Sequence, residues 1–434
     1  MRTIKLSSLL LFMGLFFIAC SDDDTAPAPD PDTQVDPDPD PDPDPDMDPD
    51  VDSAIMIGYR VNTPQGAVRY FEVHEEFPST INPSEAIEIG LSSRVYSFGE
   101  HPYTYNENAG TMTKWNVDRS TLEISVGGIV SFASSGFSGF AGGPPIFVSE
   151  TQAFVSNLRE GVVLEWNPST MEITEVLNVD PLPNLGEQYQ SVTGFYGEWN
   201  KYITSNGKVV MAVEHYGPEA CCDEGFLAQP GGAIVAVFDP VSGTIQYNQD
   251  DRLYSTHDDL LYDPVTDNYY APPADGNSHT FQYFGEDLVN NPFALLRLND
   301  DGSFDPDFAL NLPDNIDFNF FIDADFIFDN KLVFTYIENL DFPLAYNERW
   351  SWFGSVPTST AVLDINTGEV TPFGGFGQYS FATYINNNGG TNFFEAFNGS
   401  GEGGLLRQDG FDAFTTVTTM ENGRFRWVST LWGE

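Results

Sequence analysis

One local pattern recurs seven times along this chain, and it leaves little choice of architecture. An apolar stretch runs into a tight polar turn, and a second β-prone stretch follows. In order, these are Val61-Asn62-Thr63-Pro64-Gln65-Gly66, Trp115-Asn116-Val117-Asp118-Arg119-Ser120 and Trp166-Asn167-Pro168-Ser169-Thr170, then Phe238-Asp239-Pro240-Val241-Ser242-Gly243. Leu298-Asn299-Asp300-Asp301-Gly302, Leu363-Asp364-Ile365-Asn366-Thr367-Gly368 and Leu406-Arg407-Gln408-Asp409-Gly410 complete the set. The first positions lie 54, 51, 72, 60, 65 and 43 residues apart. Asn, Asp and Gly suit hairpin turns because they tolerate positive φ or bond their own backbone. A period of this size, built from hairpins, matches four-stranded propeller blades with insertions. Long helical periodicity is missing. The chain therefore reads as all-β, a seven-bladed β-propeller of four-stranded blades; an array of two-sheet sandwiches is the alternative.

Upstream of several turns lies another hairpin. Ala153 to Asn157 pairs with Gly161 to Trp166; Tyr202 to Met211 pivots on Asn206-Gly207, and Phe328 to Ile337 on Asp329-Asn330. This order puts the seven recurrent turns between the third and fourth strands of each blade. The first turn comes too early for its blade to hold inner strands, so Phe411 to Trp432 is expected to complete that blade and close the ring.

The N-terminus has another character. Arg2 and Lys5 precede an apolar run from Leu9 to Ile18, too short for a stable bilayer span and suited to the core of a signal peptide. Phe17-Ile18-Ala19-Cys20 resembles the lipobox of bacterial lipoproteins, which implies a signal peptide over 1–19 and lipidation of Cys20. Ser21-Asp22-Asp23-Asp24 resembles the acidic export signal of surface lipoproteins in Bacteroidota. Residues 25–52 are almost entirely Pro and Asp; fixed φ and like-charge repulsion forbid a core there. The organisation expected is a signal over 1–19, a lipidated Cys and disordered acidic tether over 20–52, and a propeller over 53–434. The location that follows is the outer membrane, lipid-anchored and facing the exterior.

Charge narrows the partners. Of 65 acidic residues 14 lie in the tether, and two of 17 basic residues lie in the signal, leaving the folded part near −36. Nucleic acid and anionic lipid surfaces are poor partners for such a field. Beyond Cys20 only Cys221 and Cys222 remain, so no disulfide framework supports the fold. Adjacent Cα atoms stand ~3.8 Å apart, below the usual disulfide range of roughly 4.4–6.8 Å. A strained vicinal disulfide between Cys221 and Cys222 is the expectation, with a thiolate metal site and two free thiols as the alternatives.

In a propeller, the connections from second to third and from fourth to first strands share one face. The strand order assigns to that face the insertions 214–232, with His215, Tyr216, Cys221 and Cys222; 275–292, with His279; and 339–357, with Tyr346, Arg349, Trp350 and Trp352. His74, His257 and the Gly-rich segment 134–145 join them through fourth-to-first connections, and His101 falls opposite. Long loops on a rigid ring carry function in most folds. The candidate ligand-binding residues are His74, His215, Tyr216, His257, His279, Arg349, Trp350 and Trp352; plugging of the channel by these loops is the competing reading. No histidines are paired at a spacing that marks a metal site. Asn299-Asp300-Asp301-Gly302 lacks the alternating oxygens and terminal Glu of a calcium loop.

With lipobox, acidic export signal, tether and YncE-like repeats, the chain resembles the little-characterised propeller lipoproteins of Bacteroidota. Some relatives of these are associated with siderophore or haem uptake. The resemblance implies capture of a small ligand for a TonB-dependent outer-membrane receptor. It supplies no catalytic motif, and the cofactor question stays open. There is no nucleophile elbow and no phosphate-cradling loop. A protein–protein or adhesion scaffold and a propeller hydrolase or lyase are the alternatives. Within the capture reading, an acidic protein suits a neutral or cationic chelate, or a haem held by His and aromatic groups, better than a trianionic ferric catecholate.

Overall fold

A computed structural model of the chain describes residues 51–433 except 138–144, 183–201, 214–231, 274–293, 313–319, 338–357, 398–401 and stretches of one to three residues elsewhere. The recurrent turns form through their carboxylates and amides. Asp118 Oδ1 accepts the amides of Ser120 (2.9 Å) and Thr121 (3.0 Å), and Asp239 Oδ1 those of Val241 (2.9 Å) and Ser242 (3.2 Å). Asn167 and Asp364 do the same for Ser169 and Thr170, and for Asn366 and Thr367. In each, the amide four residues on bonds the main-chain oxygen of the Asx residue. That fifth residue has positive φ: Gly243 (65°) and Gly368 (73°), but also Leu122 (58°) and Met171 (58°). A side chain in this region is strained, so the last two positions are held by packing.

The turns join strands into seven four-stranded antiparallel sheets, and in six of them neighbours in space follow the chain. The chain first lays down β1 (Ala54–Thr63), β2 (Gly66–His74) and β3 (Ile87–Glu88). Blade 2 is β4 (Ser93–Phe98), β5 (His101–Asn106), β6 (Thr111–Val117) and β7 (Ile124–Ser131). Blade 3 is β8 (Ile146–Ser149), β9 (Gln152–Asn157), β10 (Val162–Asn167) and β11 (Glu172–Asn178). Blade 4 is β12 (Tyr202–Ile203), β13 (Val209–Val213), β14 (Ala233–Asp239) and β15 (Thr244–Asp250). Blade 5 is β16 (Leu261–Asp263), β17 (Asn268–Ala271), β18 (Ala294–Leu298) and β19 (Phe304–Asn311). Blade 6 is β20 (Phe320–Phe328), β21 (Lys331–Ile337), β22 (Thr358–Asp364) and β23 (Val370–Pro372). Blade 7 is β24 (Phe381–Asn388), β25 (Thr391–Phe397), β26 (Glu402–Gly410) and β27 (Ala413–Glu421). Finally β28 (Gly423–Trp432) returns to pair with β1, giving blade 1 the order β28-β1-β2-β3. The fold is a seven-bladed β-propeller.

Two expectations change at the closure. Only β28 completes blade 1, whereas Ala413–Glu421 is the outer strand of blade 7. Because β1 is the second strand of its blade, the turn after Val61 lies between strands two and three; the other six turns lie between three and four, as expected. Asn299-Asp300-Asp301-Gly302 is a hairpin turn, with Ser303 N donating to Asp301 Oδ1 at 2.9 Å.

Period two does the packing. In β14, Ile234, Ala236 and Phe238 face blade 3, while Ala233, Val235 and Val237 face blade 5, so six consecutive residues are buried. A strand covered on both sides reads as a continuous apolar run. Seven apolar clusters lie one between each pair of adjacent blades. At ~1.5–3 kcal/mol for each large apolar side chain buried, these seams hold the ring together. Polar groups supplement three of them. Asp263, fully buried, accepts amides of Asp329 and Asn330 in the next blade, both at 2.8 Å. The Asn386 amide donates to Val428 O at 2.6 Å, and Asn388 donates to Thr430 Oγ1 at 2.8 Å, tying β24 to β28. On the other side of β28, Ser97 Oγ donates to Ser429 Oγ at 2.6 Å.

Candidate functional site

The strand bounds set the length of every connection, and the lengths are unequal between the two faces. On the face that takes second-to-third and fourth-to-first connections, β13 and β14 are separated by 19 residues, β17 and β18 by 22, and β21 and β22 by 20. The equivalent links in blades 2, 3 and 7 have four residues. The 23 residues between β11 and β12 and the 14 between β7 and β8 also start and end on this face. On the opposite, short-turn face the longest link, between β2 and β3, has 12. The three insertions named from the sequence therefore do belong to one set of strand ends, in three consecutive blades. The segment between β11 and β12 was not singled out from the sequence.

His215, Tyr216, His257, His279, Arg349, Trp350 and Trp352 lie outside the described residues, as do Cys20, Cys221 and Cys222. His74 is described, and its assignment changes. It ends β2, the third strand of blade 1, so it sits on the short-turn face rather than with the long connections. The cause is the closure: β28 alone supplies an inner strand where two were expected, so β1 and β2 each move in by one position, and a one-strand slip reverses the face. His74 Nε2 lies 3.0 Å from Glu72 Oε1. Glu72, His74, Glu75, Thr121 and Glu123 line a cavity of about 680 Å³ between blades 1 and 2. Among the described residues no three His, Cys, Asp or Glu side chains converge as a metal site. No helix of the described residues is long and apolar enough to cross a membrane.

His101, expected opposite the long connections, starts β5 at the short-turn face. It opens on a second cavity of about 800 Å³, whose walls come from three blades. Blade 2 supplies Ser97, Glu100, His101, Tyr103 and Lys114; blade 3 supplies Glu150 and Ser169; the end of β28 supplies Ser429 and Thr430. Apolar packing fixes the floor. Phe98 stacks on Phe147 at 5.0 Å, Tyr103 meets Phe147 at 4.8 Å, and Tyr103 is 1 % exposed. His101 Nδ1 lies 3.2 Å from Trp115 O. A carbonyl only accepts, so this nitrogen carries the proton and Nε2 keeps its lone pair. Burial, then the nearby Lys114 charge, lowers the His101 pKa, so the ring is neutral at pH 7. Burial also lowers the Lys114 pKa, against the pull of Glu150. Glu100 is occupied by Arg119. Lys114 and Glu150 escaped the sequence reading because they come from different blades; the available signal was a lysine, one of five in the chain, in the middle of the strand Thr111–Val117.

No protein-family profile and no curated protein sequence matches the chain. Solved structures with a similar fold are remote. A candidate 6-phosphogluconolactonase of Bacteroides uniformis is 11% identical, with a TM-score of 0.43, covering 88% of this chain and 99% of that one. The β-propeller domain of the Trilobed protease from Pyrococcus furiosus, which has an open velcro topology, is 12% identical with a TM-score of 0.39, covering 84% and 92%. Streptogramin B lyase is 10% identical with a TM-score of 0.39, covering 84% and 87%.

Proposed function

We propose that this chain is a lipid-anchored capture module on the cell surface that takes up a small ligand, an iron chelate or haem, and presents it to an outer-membrane uptake receptor. The inequality of the two faces carries this reading: second-to-third connections of 19, 22 and 20 residues stand on consecutive blades of one face, where the same connection in the other four blades has two to four. Extra chain of that length costs loop-closure entropy, and long loops on a rigid scaffold are where recognition residues concentrate. The aromatic and cationic residues that those segments carry, Trp350, Trp352, His215 and Arg349, suit a flat or chelated ligand. Cys20 and the Pro-Asp segment would supply the anchor and the reach.

The test is thermal unfolding of the chain from residue 21 with haem, ferric siderophores of differing charge, and divalent metals. A ligand at ~100 times its Kd adds about 2.7 kcal/mol, near 3 °C for a domain of this size. One probe should raise Tm by that amount, and replacing Trp350, Trp352 and His215 by Ala should abolish the rise while the unliganded Tm stays within about 1 °C. A flat response to every probe would overturn the reading. So would a drop of several degrees in the unliganded variant, which would make these side chains loop anchors.

A further inference from the structure

The His101 cavity lies on the face that the capture reading leaves unused, and its chemistry points to a different ligand. Two opposite charges, Lys114 and Glu150, line it without pairing with each other: no ion pair joins them among the described residues, although each lies within electrostatic range of the other. Two of the serine hydroxyls near them are already committed, Ser97 Oγ to Ser429 Oγ at 2.6 Å and Ser169 Oγ to Glu150 O at 2.7 Å. With Glu100 paired to Arg119, the charged and accepting groups left toward the cavity are Lys114, Glu150 and the lone pair of His101 Nε2, fixed by the Nδ1 contact to Trp115 O. A simple anion would meet Glu150, and a simple cation would meet Lys114. A molecule carrying both charges satisfies both walls.

We infer that this cavity is a second ligand site, for a small zwitterion of the α-amino-acid class, whose carboxylate meets Lys114 and whose ammonium sits between Glu150 and His101 Nε2. The electrostatics agree with that occupant. Burial disfavours the Lys114 charge, and a bound carboxylate restores it. The neutral imidazole accepts from an ammonium, which an imidazolium could not do. The volume, about 800 Å³, leaves room for the amino-acid side chain and several waters, and lies within the ~300–1,000 Å³ of small-molecule sites. The buried ring of Tyr103 and the Phe98–Phe147 stack beneath keep the polar groups in place without ligand.

Titration calorimetry on the chain from residue 21 tests this with L-alanine, L-glutamate and L-lysine, and with propionate and ethylamine as single-charge controls. At least one amino acid should bind, and both controls should bind at least ~10-fold more weakly. Lys114→Met and Glu150→Gln should each weaken the amino acid ~10-fold or more, since each removes one charged contact. Glu150 is exposed, so its substitution leaves the fold intact even if Lys114→Met does not. No amino-acid binding would overturn the inference. Propionate binding as tightly as the amino acid would reduce the cavity to an anion site, and unchanged affinity in Glu150→Gln would place the ligand elsewhere. Alanine substitutions at Trp350 and Trp352 should leave these affinities unchanged.

Discussion

Replacing Glu395 by Gln should remove an effect of pH on the seam where the ring closes. Glu395 lies on β25, is 2 % exposed, and faces β28 from blade 7, with Arg424 Nε 3.8 Å from its Oε1. Burial raises its pKa from 4.5 to about 7, opposed in turn by Arg426, Arg424, the Phe425 amide and Arg60. The unfolded chain ionises this carboxyl near 4.5, and the folded chain resists until about 7. Its stabilising contribution is therefore full below about pH 4.5 and is lost as pH rises through 7. The displacement corresponds to about 3 kcal/mol. With ~2.1 cal/mol/K of unfolding entropy per residue over roughly 380 residues, that is near 4 °C in Tm. Gln mimics the protonated acid at every pH. Thermal unfolding of both proteins between pH 5 and pH 8 should thus show the Tm difference moving about 4 °C in favour of Glu395→Gln. Other titrating groups cancel in the difference. A constant difference, or one that moves toward the wild type, would mean that the three arginines outweigh burial, and the reasoning would fail.

Asp263→Ala removes a buried carboxylate that spans two blades and should lower Tm by about 4 °C, from a loss of about 3 kcal/mol; a change under 1 °C would show the two amides finding other partners. Although burial raises its pKa, the Asn330 amide, the Thr266 hydroxyl and the amides of Asp329 and Val265 leave it lowered overall, so the contribution of Asp263 is present above the ordinary carboxylate range and lost as pH falls below it. Asn386→Ala should speed hydrogen exchange in β28 more than in β14, and uniform exchange would refute the idea that this side chain holds the closing strand. Met171→Gly relieves positive φ, worth about 1 kcal/mol, but gives up a buried thioether worth about 2, so Tm should fall slightly. A rise in Tm would mean that strain dominates there.

The ring was legible because turn chemistry and period two are local. Asp118, Asn167, Asp239 and Asp364 each fix a turn through amides two and three residues on, and such signals survive in sequence. The hairpins on Asn206-Gly207 and Asp329-Asn330 formed where expected for the same reason. What local chemistry does not carry is which strand counts as first. Val61 to Gly66 has the composition of the other turns, yet its blade borrows one inner strand, from residue 423 onward, where two were expected, and that displaced His74 to the other face. Asn422-Gly423 was the unread cue, a one-residue link between β27 and β28. The His101 cavity was invisible for a related reason. Its charges are 36 residues apart, at Lys114 and Glu150, and only the seam between blades brings them together.

The way the chain enters the ring has a mechanical consequence. Val51 donates its amide to Arg119 O at 2.7 Å and accepts from Trp432 Nε1 at 3.0 Å, just before β1. A pull on the N-terminal segment is first taken up by these two clamps and then runs along β1. That strand is held on both edges, by β2 from Ile55 to Thr63 and by β28 from Ala54 to Val61. Force along its axis shears two ladders at once, so many hydrogen bonds must yield together. Entry through an edge strand such as β3 would let the same force unzip a sheet one bond at a time. The second-strand entry thus makes the ring a shear-resistant anchor for whatever its N-terminus is attached to.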